Sequence, residues 1–424
     1  MSALARRMGL LALLLALSMI TAACANDTAD DEATEDTAEV AEEEAEPTED
    51  EMAEEEPTED EMAEEEPTED EMAEEEPTED EATEDDAADA SEGGVSIEDS
   101  CAQYEGVEVP EDFNVVLVTD IGKVDDGTFN QFANDGMVAA ADCLGFESQA
   151  IETASEADYG TNIATALEAD PEIIVTVGFL IADATLEAAE ANPEVNFIGI
   201  DQFQAEYPAN YVGVLFREDQ GGFLAGAMAG LLTESNTIGV VGGLEVVPPV
   251  VRLVNGYEAG AHYIDESINV LKVYTDSFTD PAQGASAAQQ FLGEGADVIF
   301  GAGGQTGSGG VSAATEAGAW GIGVDQDEYF TTFGGGSSPG SEFLATSAVK
   351  RVDLGVFNQI GEVLAGSFAG GIYTLDAANG GISYAPFHDA DIPEDVATQL
   401  EEVRQGLADG SIETGIDPAT GLPL

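Results

Sequence analysis

Basic residues are nearly absent from this chain. Nine Lys and Arg stand against 89 Asp and Glu among 424 residues, so the formal net charge is −80. A surface of this sign repels phosphate groups, which excludes nucleic acids and anionic membrane surfaces as partners. The two histidines, His262 and His388, lie in no pattern typical of a catalytic triad or a metal site, and no GxxxxGK[ST] loop is present. We therefore expect a protein that is not an enzyme and that uses no metal or cofactor.

Long apolar segments are scarce as well. The apolar stretch 10–20 follows Arg6 and Arg7 and is short for a membrane span. It is followed by the small residues before Cys24, which resembles the signal of bacterial lipoproteins, in which the cysteine is lipidated. We expect residues 1–24 to be this signal, and Cys24 to tether the mature protein to the extracytoplasmic face of the cell membrane. The alternative is an ordinary secreted protein with a chance cysteine.

Residues 25–94 contain 37 Asp and Glu and no Lys or Arg, and the decapeptide EPTEDEMAEE recurs with little change between Glu46 and Asp80. A segment with so little apolar surface and so much self-repulsion cannot form a packed core. We expect a disordered acidic linker that holds the following domain away from the membrane surface. Cation binding is the alternative role.

Only three cysteines occur, and two of them, Cys101 and Cys143, follow the acidic segment. One precedes the first predicted strand of the domain and the other ends the first predicted helix. These two ends lie at the same edge of a strand–helix unit, so the two residues are able to pair in an oxidising compartment. The alternative is two free thiols.

From residue 113 onward, predicted strands and helices alternate. An apolar, β-branched run at 113–119 is typical of a strand buried on both faces of a parallel sheet, and helical periodicity over 128–143 follows it. A second alternating array begins with the strand at 237–241, and its glycine-rich segment AGGQTG predicts a loop before a helix at 309–318. Further apolar runs predict strands at 173–177, 196–200, 211–216 and 269–274. Two successive arrays of about five strands predict an α/β domain over 95–424 with two doubly wound lobes.

A ligand site is expected where the first strand ends. Ligands of open α/β sheets bind at the carboxyl ends of the strands, and Asp120 lies at such an end, with Phe129 and Asn130 at the start of the next helix. A carboxylate, a flat apolar ring and an amide suit a heterocycle that is polar at its edge and apolar on its faces. The alternative is that Phe129 belongs to the core and Asp120 caps a loop.

Several motifs of this domain occur in the same order in the basic membrane protein family, which this chain therefore resembles over roughly 113–375. The motifs are VTDIGKVDDGTFNQ, FIGIDQ, FLAGAMAGLL, IGVVGGLEVVPPVVRLVNGYEAGA, SFTDP, DVIFGAGGQTG, IGVDQDE and TSAVKRVD. Members of this family are lipoprotein substrate-binding components of ABC importers, and characterised members bind purine nucleosides.

The resemblance implies a type I periplasmic-binding-protein fold, in which two Rossmann-like lobes are joined by a hinge of three crossovers. We place lobe one at about 112–217 and 345–367, and lobe two at about 218–344 and 368–424. The ligand would bind in the cleft between them, and lobe closure would be the signal that a permease reads.

The resemblance also implies roles for individual residues. Asp120 would accept hydrogen bonds from the edge of the base, Phe129 and Phe278 would stack on its two faces, and Asn130 would reach a ring position. The alternative for Phe278 is a place in the core.

A second group of residues would bind the sugar. Asp201 and Asp325 each follow an apolar strand directly, so both carboxylates are expected to point into the cleft, where each could accept two ribose hydroxyls. Gly303 and Gly304 would let the backbone approach the ligand, or else serve only a tight turn. Lys350 would hold the carboxylates in register or reach a hydroxyl, unless it pairs with Asp353 or Asp325.

We therefore expect a monomeric, lipid-anchored receptor that captures a nucleoside, which the resemblance implies is a purine nucleoside, and presents it to the permease and ATPase subunits of an ABC importer. Alternatives are a receptor for another heterocycle or a sugar, a surface sensory or adhesive lipoprotein, and a nucleoside hydrolase.

Overall fold

The computed structural model describes residues 96–424. The predicted signal 1–24, with the lipidation of Cys24, and the predicted acidic linker 25–94 lie outside the described residues.

Two six-stranded sheets, each made mainly of parallel strands, form the framework of these residues. The strands are β1 (Asn114–Ile121), β2 (Glu147–Thr153), β3 (Ile173–Val177), β4 (Asn196–Ile200), β5 (Tyr211–Phe216), β6 (Thr237–Gly242), β7 (Asn269–Tyr274), β8 (Val298–Ala302), β9 (Trp320–Asp325), β10 (Leu344–Lys350), β11 (Gly371–Leu375) and β12 (Ile382–Tyr384). The first sheet has the order β11-β5-β4-β3-β1-β2 and the second has the order β12-β10-β9-β8-β6-β7. The predicted α/β architecture with two doubly wound lobes is confirmed.

Helices cover these sheets. They are α1 (Ile97–Gln103), α2 (Phe129–Leu144), α3 (Tyr159–Leu167), α4 (Ala182–Ala191), α5 (Glu218–Leu232), α6 (Pro248–Ile264), α7 (Pro281–Gly293), α8 (Gly304–Glu316), α9 (Val352–Leu364) and α10 (Glu394–Asp409). The central strands are apolar throughout because both of their faces are covered, as Val115–Val118 in β1 illustrate with no exposed surface. Among residues 96–424, no helix is both long and apolar enough to cross a bilayer.

The chain crosses between the lobes at Arg217, Arg351 and Asp376, which accounts for the three predicted crossovers. The predicted lobe boundaries are wrong in two places. Strand β10 pairs with β9 and so belongs to lobe two, whereas β11 pairs with β5 and so belongs to lobe one. Lobe one therefore takes α9 and β11, and lobe two takes β10 and the chain after Asp376. A strand and the helix after it usually belong to one lobe, but here the crossover at Arg351 separates β10 from α9.

Helices α5 and α6 pack unusually closely, and this contact positions part of the site. A Cβ on Gly222 or Gly226 of α5 would collide with backbone carbonyl groups of α6, and one on Gly256 or Gly260 of α6 would collide with those of α5. The four glycines thus let the two backbones touch. As a result, the first turn of α5 lies against the first turns of α6.

A disulfide joins Cys101 in α1 to Cys143 near the end of α2, with a distance of 6.1 Å between the Cα atoms. It attaches the first described helix to lobe one.

Candidate functional site

A cavity lies between the two lobes, at the carboxyl ends of strands from both sheets. The space in it that no atom fills is about 680 Å³, including solvent at its mouth. All nine ligand-binding candidates line this one cavity: Asp120, Phe129, Asn130, Asp201, Phe278, Gly303, Gly304, Asp325 and Lys350. The structure therefore brings together residues up to 230 positions apart in the sequence, since the ends of parallel strands meet at one edge of each sheet.

The N-terminus of α2 is organised by Asp126, which the sequence analysis did not assign to the site. Its carboxylate accepts hydrogen bonds from the backbone N–H groups of Thr128 (2.9 Å), Asn130 (3.2 Å) and Gln131 (3.1 Å). Burial raises the pKa of Asp126, and these hydrogen bonds oppose that effect. Thr128 occupies the N-cap position but its side chain makes no capping bond, because Asp126 already satisfies the free N–H groups. The loop 122–127 is thus held in a fixed position beside the cavity.

Asn130 is largely committed to protein contacts. Its Oδ1 accepts a hydrogen bond from the backbone N–H of Asp120 (2.9 Å), and its Nδ2 donates to Asp126 (3.0 Å). Its amide therefore ties the end of β1 to the start of α2. The predicted contact of Asn130 with a ring position remains a prediction, for which one N–H of the amide is left.

Asp120 is buried, and its two carboxylate oxygens differ in their hydrogen bonds. Oδ1 accepts hydrogen bonds from the hydroxyl of Tyr159 and from the backbone N–H of Ile121 (2.7 Å). Burial raises the pKa of Asp120 to about 6, against the hydrogen bond from Tyr159. Oδ2 accepts no hydrogen bond from residues 96–424, and it lies so close to Gly178 that a Cβ there would collide with it. Neither Tyr159 nor Gly178 carries a sequence signal for this role, because each lies in an ordinary helix or strand-end pattern.

Asp201 and Asp325 occupy equivalent positions in the two lobes, at the ends of β4 and β9. Both adopt left-handed backbone conformations, with φ angles of 62° and 68°, which are uncommon for residues other than glycine. Burial raises the pKa of Asp201 to about 7 and that of Asp325 to about 6, and Lys350 opposes both shifts. No donor among residues 96–424 reaches Oδ1 of Asp201, which is buried, or either carboxylate oxygen of Asp325. Several carboxylate oxygens in this cavity are therefore available to accept hydrogen bonds from a ligand.

Lys350 lies at the centre of a buried ion cluster. Its Nζ is 2.6 Å from Oδ2 of Asp201 and 3.1 Å from Oε1 of Glu218, while Glu218 Oε2 accepts a hydrogen bond from Arg252 (2.6 Å). Burial alone would lower the pKa of Lys350, but Asp201 and Glu218 raise it to about 12. The alternative pairing with Asp353 is excluded, because Asp353 pairs with Arg351. Sequence reasoning did not find Glu218 or Arg252, which pack together through the close α5–α6 contact.

Two aromatic side chains from opposite lobes line the cavity. Phe129 begins α2, and the Lys350 Nζ lies 5.0 Å from the centre of its ring, a distance typical of a cation–π contact. Phe278 lies in the loop after β7 and packs against Gly243, where a Cβ would collide with its ring. Both side chains are half-buried, so each is partly core and partly cavity wall. The rest of the apolar wall comes from Val247, Pro249, Val250, Leu253 and Phe179.

Glycine is needed at positions 303 and 304 for different structural reasons. Gly303 packs against the backbone of Gly243, with which a Cβ would collide. Gly304 has a φ of 55° and begins α8, so this helix starts five residues before the predicted start at 309. The segment GGQTG is therefore the first turn of a helix, not the loop that its glycines suggested. Both glycines line the cavity, and whether they approach a ligand remains a prediction.

The charges around the cavity are mostly negative. Asp120, Asp126, Asp201 and Asp325 face one ammonium, that of Lys350, which two carboxylates already neutralise. Within residues 96–424, no cluster of three or more His, Cys, Asp or Glu side chains is arranged to hold a metal ion. Such a cavity is suited to an uncharged ligand rich in hydrogen-bond donors and repels an anion.

Hydrogen bonds cross the cleft beside the cavity. Gln326, directly after Asp325 in lobe two, donates from Nε2 to the backbone oxygen of Thr128 in lobe one (3.1 Å). Thr331 donates from its hydroxyl to the backbone oxygen of Gly127 (2.8 Å). These contacts hold the two lobes together at the start of α2. The sequence contained no signal for them, because each acceptor is a backbone carbonyl group.

Comparison with known proteins identifies the family. Residues 113–406 match the Bmp family model, described as ABC transporter substrate-binding protein PnrA-like. A Listeria monocytogenes protein named CD4+ T-cell-stimulating antigen is 32% identical over 73% of this chain and 89% of its own length. The ABC transporter nucleoside-binding protein BmpA of Lactococcus lactis is 31% identical over 65% of this chain and 82% of its own length.

Solved structures agree with this result. A crystal structure of an ABC transporter solute-binding protein from Aeropyrum pernix superposes with a TM-score of 0.62 at 26% identity, covering 71% of this chain and 92% of that one. The resemblance inferred from the motifs is confirmed. The chain belongs to the Bmp family of ABC transporter substrate-binding proteins, whose members bind solutes and are not enzymes.

Proposed function

We propose that this protein captures a nucleoside, with a purine base, in the cavity between its lobes and presents it to the permease of an ABC importer. The observation that carries the proposal is that two aromatic rings and three carboxylates line one cavity between the lobes, and that each carboxylate has an oxygen that accepts no hydrogen bond from residues 96–424. Phe129 and Phe278 supply apolar faces for a base, and the carboxylates of Asp201 and Asp325 supply acceptors for sugar hydroxyls. The nucleoside-binding name of the Lactococcus lactis relative supports the same ligand class.

The charge of the cavity argues for a nucleoside over a nucleotide. A phosphate group would lie among four aspartates, and the single ammonium, that of Lys350, is already engaged by Asp201 and Glu218. A free sugar would meet the carboxylates but would leave the aromatic walls without a flat partner. The ligand therefore needs both an uncharged sugar-like part and an aromatic part.

Ligand binding at this site favours the closed arrangement of the two lobes, because the residues that line the cavity come from both lobes. A ligand that contacts both lobes stabilises the closed state by the difference between its affinities for the closed and open states. The closed form is the one that the permease and ATPase subunits recognise in our proposal.

In this proposal, the N-terminal segment of the chain anchors the protein to the extracytoplasmic face of the cell membrane. Lipidation of Cys24 supplies the anchor, and the acidic residues 25–94 supply the spacer. Radiolabelled palmitate incorporated by cells that express the full chain tests the anchor. A Cys24→Ser variant that incorporates as much label as the unmodified protein would contradict it.

Ligand identity is tested on the full chain by thermal unfolding with inosine, guanosine, adenosine, inosine monophosphate and ribose. A ligand that binds only the folded state at about 100 times its Kd stabilises the protein by about 2.7 kcal/mol. We expect the nucleosides to raise the midpoint of unfolding and the monophosphate and ribose to leave it unchanged. Mass spectrometry of the denatured protein provides an independent check, since a tightly bound ligand copurifies. The proposal would be refuted if ribose alone raised the midpoint, or if none of the nucleosides raised it.

A further inference from the structure

Behind the cavity wall, Glu218 and Arg252 extend the charge cluster away from the ligand site. Glu218 is fully buried, and the Arg252 side chain is 9% exposed. Neither residue lines the cavity, whereas Asp201 and Lys350 both do. The four groups form an alternating series: Arg252 donates a hydrogen bond to Glu218, the Lys350 ammonium makes an ion pair with Glu218 Oε1, and it donates a hydrogen bond to Asp201. The net charge of the four is zero, so the removal of either hidden partner leaves an unbalanced charge beside the ligand site.

The ammonium of Lys350 has little freedom to move. Its Nζ lies between two carboxylates and close to two aromatic rings, 5.0 Å from the centre of Phe129 and 4.8 Å from that of Phe216. The Lys350 residue itself is only 4% exposed. The position of Nζ on Oδ2 of Asp201 therefore depends on Glu218, whose Oε1 lies 3.1 Å from the same ammonium.

The second oxygen of Asp201 is the group that this arrangement leaves free. Oδ1 is buried and has no hydrogen-bond partner among the described residues. A buried carboxylate oxygen without a partner is costly, and the left-handed φ of 62° at Asp201 adds backbone strain. An arrangement that retains both features is expected to serve a ligand that supplies the missing donor.

The cluster also joins the two lobes at the hinge. Asp201 belongs to lobe one, whereas the other three residues belong to lobe two. Glu218 directly follows the crossover at Arg217, and Lys350 directly precedes the crossover at Arg351. The Asp201–Lys350 contact therefore spans the cleft next to the segments on which the lobes turn.

We propose that Arg252 and Glu218 are positioning residues for the ligand: they hold the Lys350 ammonium on one oxygen of Asp201 and keep the other oxygen ionised and free to accept a ligand hydroxyl. This inference rests on the proposed function, because it requires that Asp201 contacts the ligand. The charged groups that face Asp201 are Lys350 from β10, Glu218 from α5 and Arg252 from α6, and Asp325 faces Lys350 from β9.

Two charge-removing variants have opposite expected effects. Arg252→Met leaves a net negative cluster, so Asp201 retains its proton to higher pH. Glu218→Gln leaves a net positive cluster, so Asp201 ionises at lower pH. A charge within a few ångströms typically shifts such a titration by about one pH unit or more. We expect the midpoint of inosine affinity against pH to move up by about that amount in the first variant and down in the second.

Arg252 also contacts the C-terminal segment, and this second contact requires a control. Its Nη1 donates to the backbone oxygen of Pro418 (3.3 Å), and the neighbouring Asn255 donates to that of Gly421 (2.7 Å). Asn255→Ala removes a hydrogen bond to the same segment without touching the ion cluster. It is expected to keep the pH midpoint of the unmodified protein, and Arg252→Lys is expected to restore that midpoint by restoring the charge.

The experiment measures inosine affinity by calorimetry from about pH 5 to pH 9, together with the carbon-13 titration of the Asp201 carboxyl group in the ligand-free full chain. Opposite shifts in Arg252→Met and Glu218→Gln support the inference. Unchanged midpoints in both variants, with losses of affinity equal at every pH, would show a purely structural role and overturn it. If Arg252→Met does not fold, Glu218→Gln decides the question alone. If the unmodified protein binds no inosine, the proposed function fails, while the carboxyl titration still tests the positioning by Arg252 and Glu218.

Discussion

Thr331→Val removes one of the hydrogen bonds that join the two lobes, and nothing else of comparable strength. The hydroxyl of Thr331 in lobe two donates to the backbone oxygen of Gly127 in lobe one at 2.8 Å, and valine has nearly the same shape. A neutral hydrogen bond of this kind contributes about 1 kcal/mol net. The closed state should therefore lose about a factor of five relative to the open state.

The expected result is faster release of the ligand. If the ligand leaves only when the lobes open, its dissociation rate rises about fivefold, while the association rate changes little. Thr332→Val is a matched control, because its hydroxyl also donates at 2.8 Å but to Glu328 in its own lobe. Stopped-flow release of inosine from both variants and from the unmodified protein measures the difference. Equal dissociation rates in Thr331→Val and Thr332→Val would refute the reasoning that this contact holds the cleft closed.

Three further predictions concern stacking, helix packing and pH. Phe129→Ala should weaken inosine binding by about 1–3 kcal/mol, since stacking of a base on a ring contributes that much, whereas Phe129→Tyr should bind within a few-fold of the unmodified protein by calorimetry. Gly136→Ala should lower the midpoint of thermal unfolding, because the new Cβ would collide with the backbone of Asp353. Gly160→Ala should raise the midpoint, because the new Cβ has open space around it in α3. A higher midpoint for Gly136→Ala than for Gly160→Ala would contradict the packing argument. Burial raises the pKa of Glu328 to about 7, so the folded protein binds the proton of the Glu328 carboxyl group more tightly than the unfolded chain does. The stabilisation that this proton gives the folded state is complete below about pH 4.5 and is lost as the pH rises through 7. Glu328→Gln should abolish this decrease in the free energy of unfolding, as measured by urea denaturation at several pH values, and an unchanged pH profile would count against it.

The sequence was most informative where local pattern and chemistry coincide. Strands β3, β4, β5 and β7 lie where their apolar runs predicted them, at Ile173–Val177, Asn196–Ile200, Tyr211–Phe216 and Asn269–Tyr274. Helix α8 was predicted to begin five residues late, because glycines usually mark loops, and here they open a helix that packs closely on its neighbours. The short edge strand β11 was not recognised, since only alternate residues of Gly371–Leu375 are covered.

The cavity itself was largely predictable for a topological reason. Polar residues that directly follow apolar parallel strands converge at one edge of their sheet. The two-lobed fold implied by the family resemblance brings the edges of both sheets together, so Asp120, Asp201 and Asp325 could be assigned to one cleft without knowledge of any distance. Family motifs added Phe278, whereas Phe129 was expected at the site from its place at the start of the helix after β1. Asp126 was missed because a loop carboxylate that caps a helix has the same local sequence as one that does not.

The amino-acid sequence by itself determined the overall negative charge, the alternation of strands and helices, and the types of side chain at the strand ends. These properties depend on composition and on the nearest neighbours along the chain. Only the tertiary structure decided that Lys350 pairs with Asp201, 149 residues away, and with Glu218, and that Arg252 completes the cluster behind the wall. Such pairings depend on how closely α5 approaches α6 and on where the chain crosses between lobes, which local periodicity does not encode.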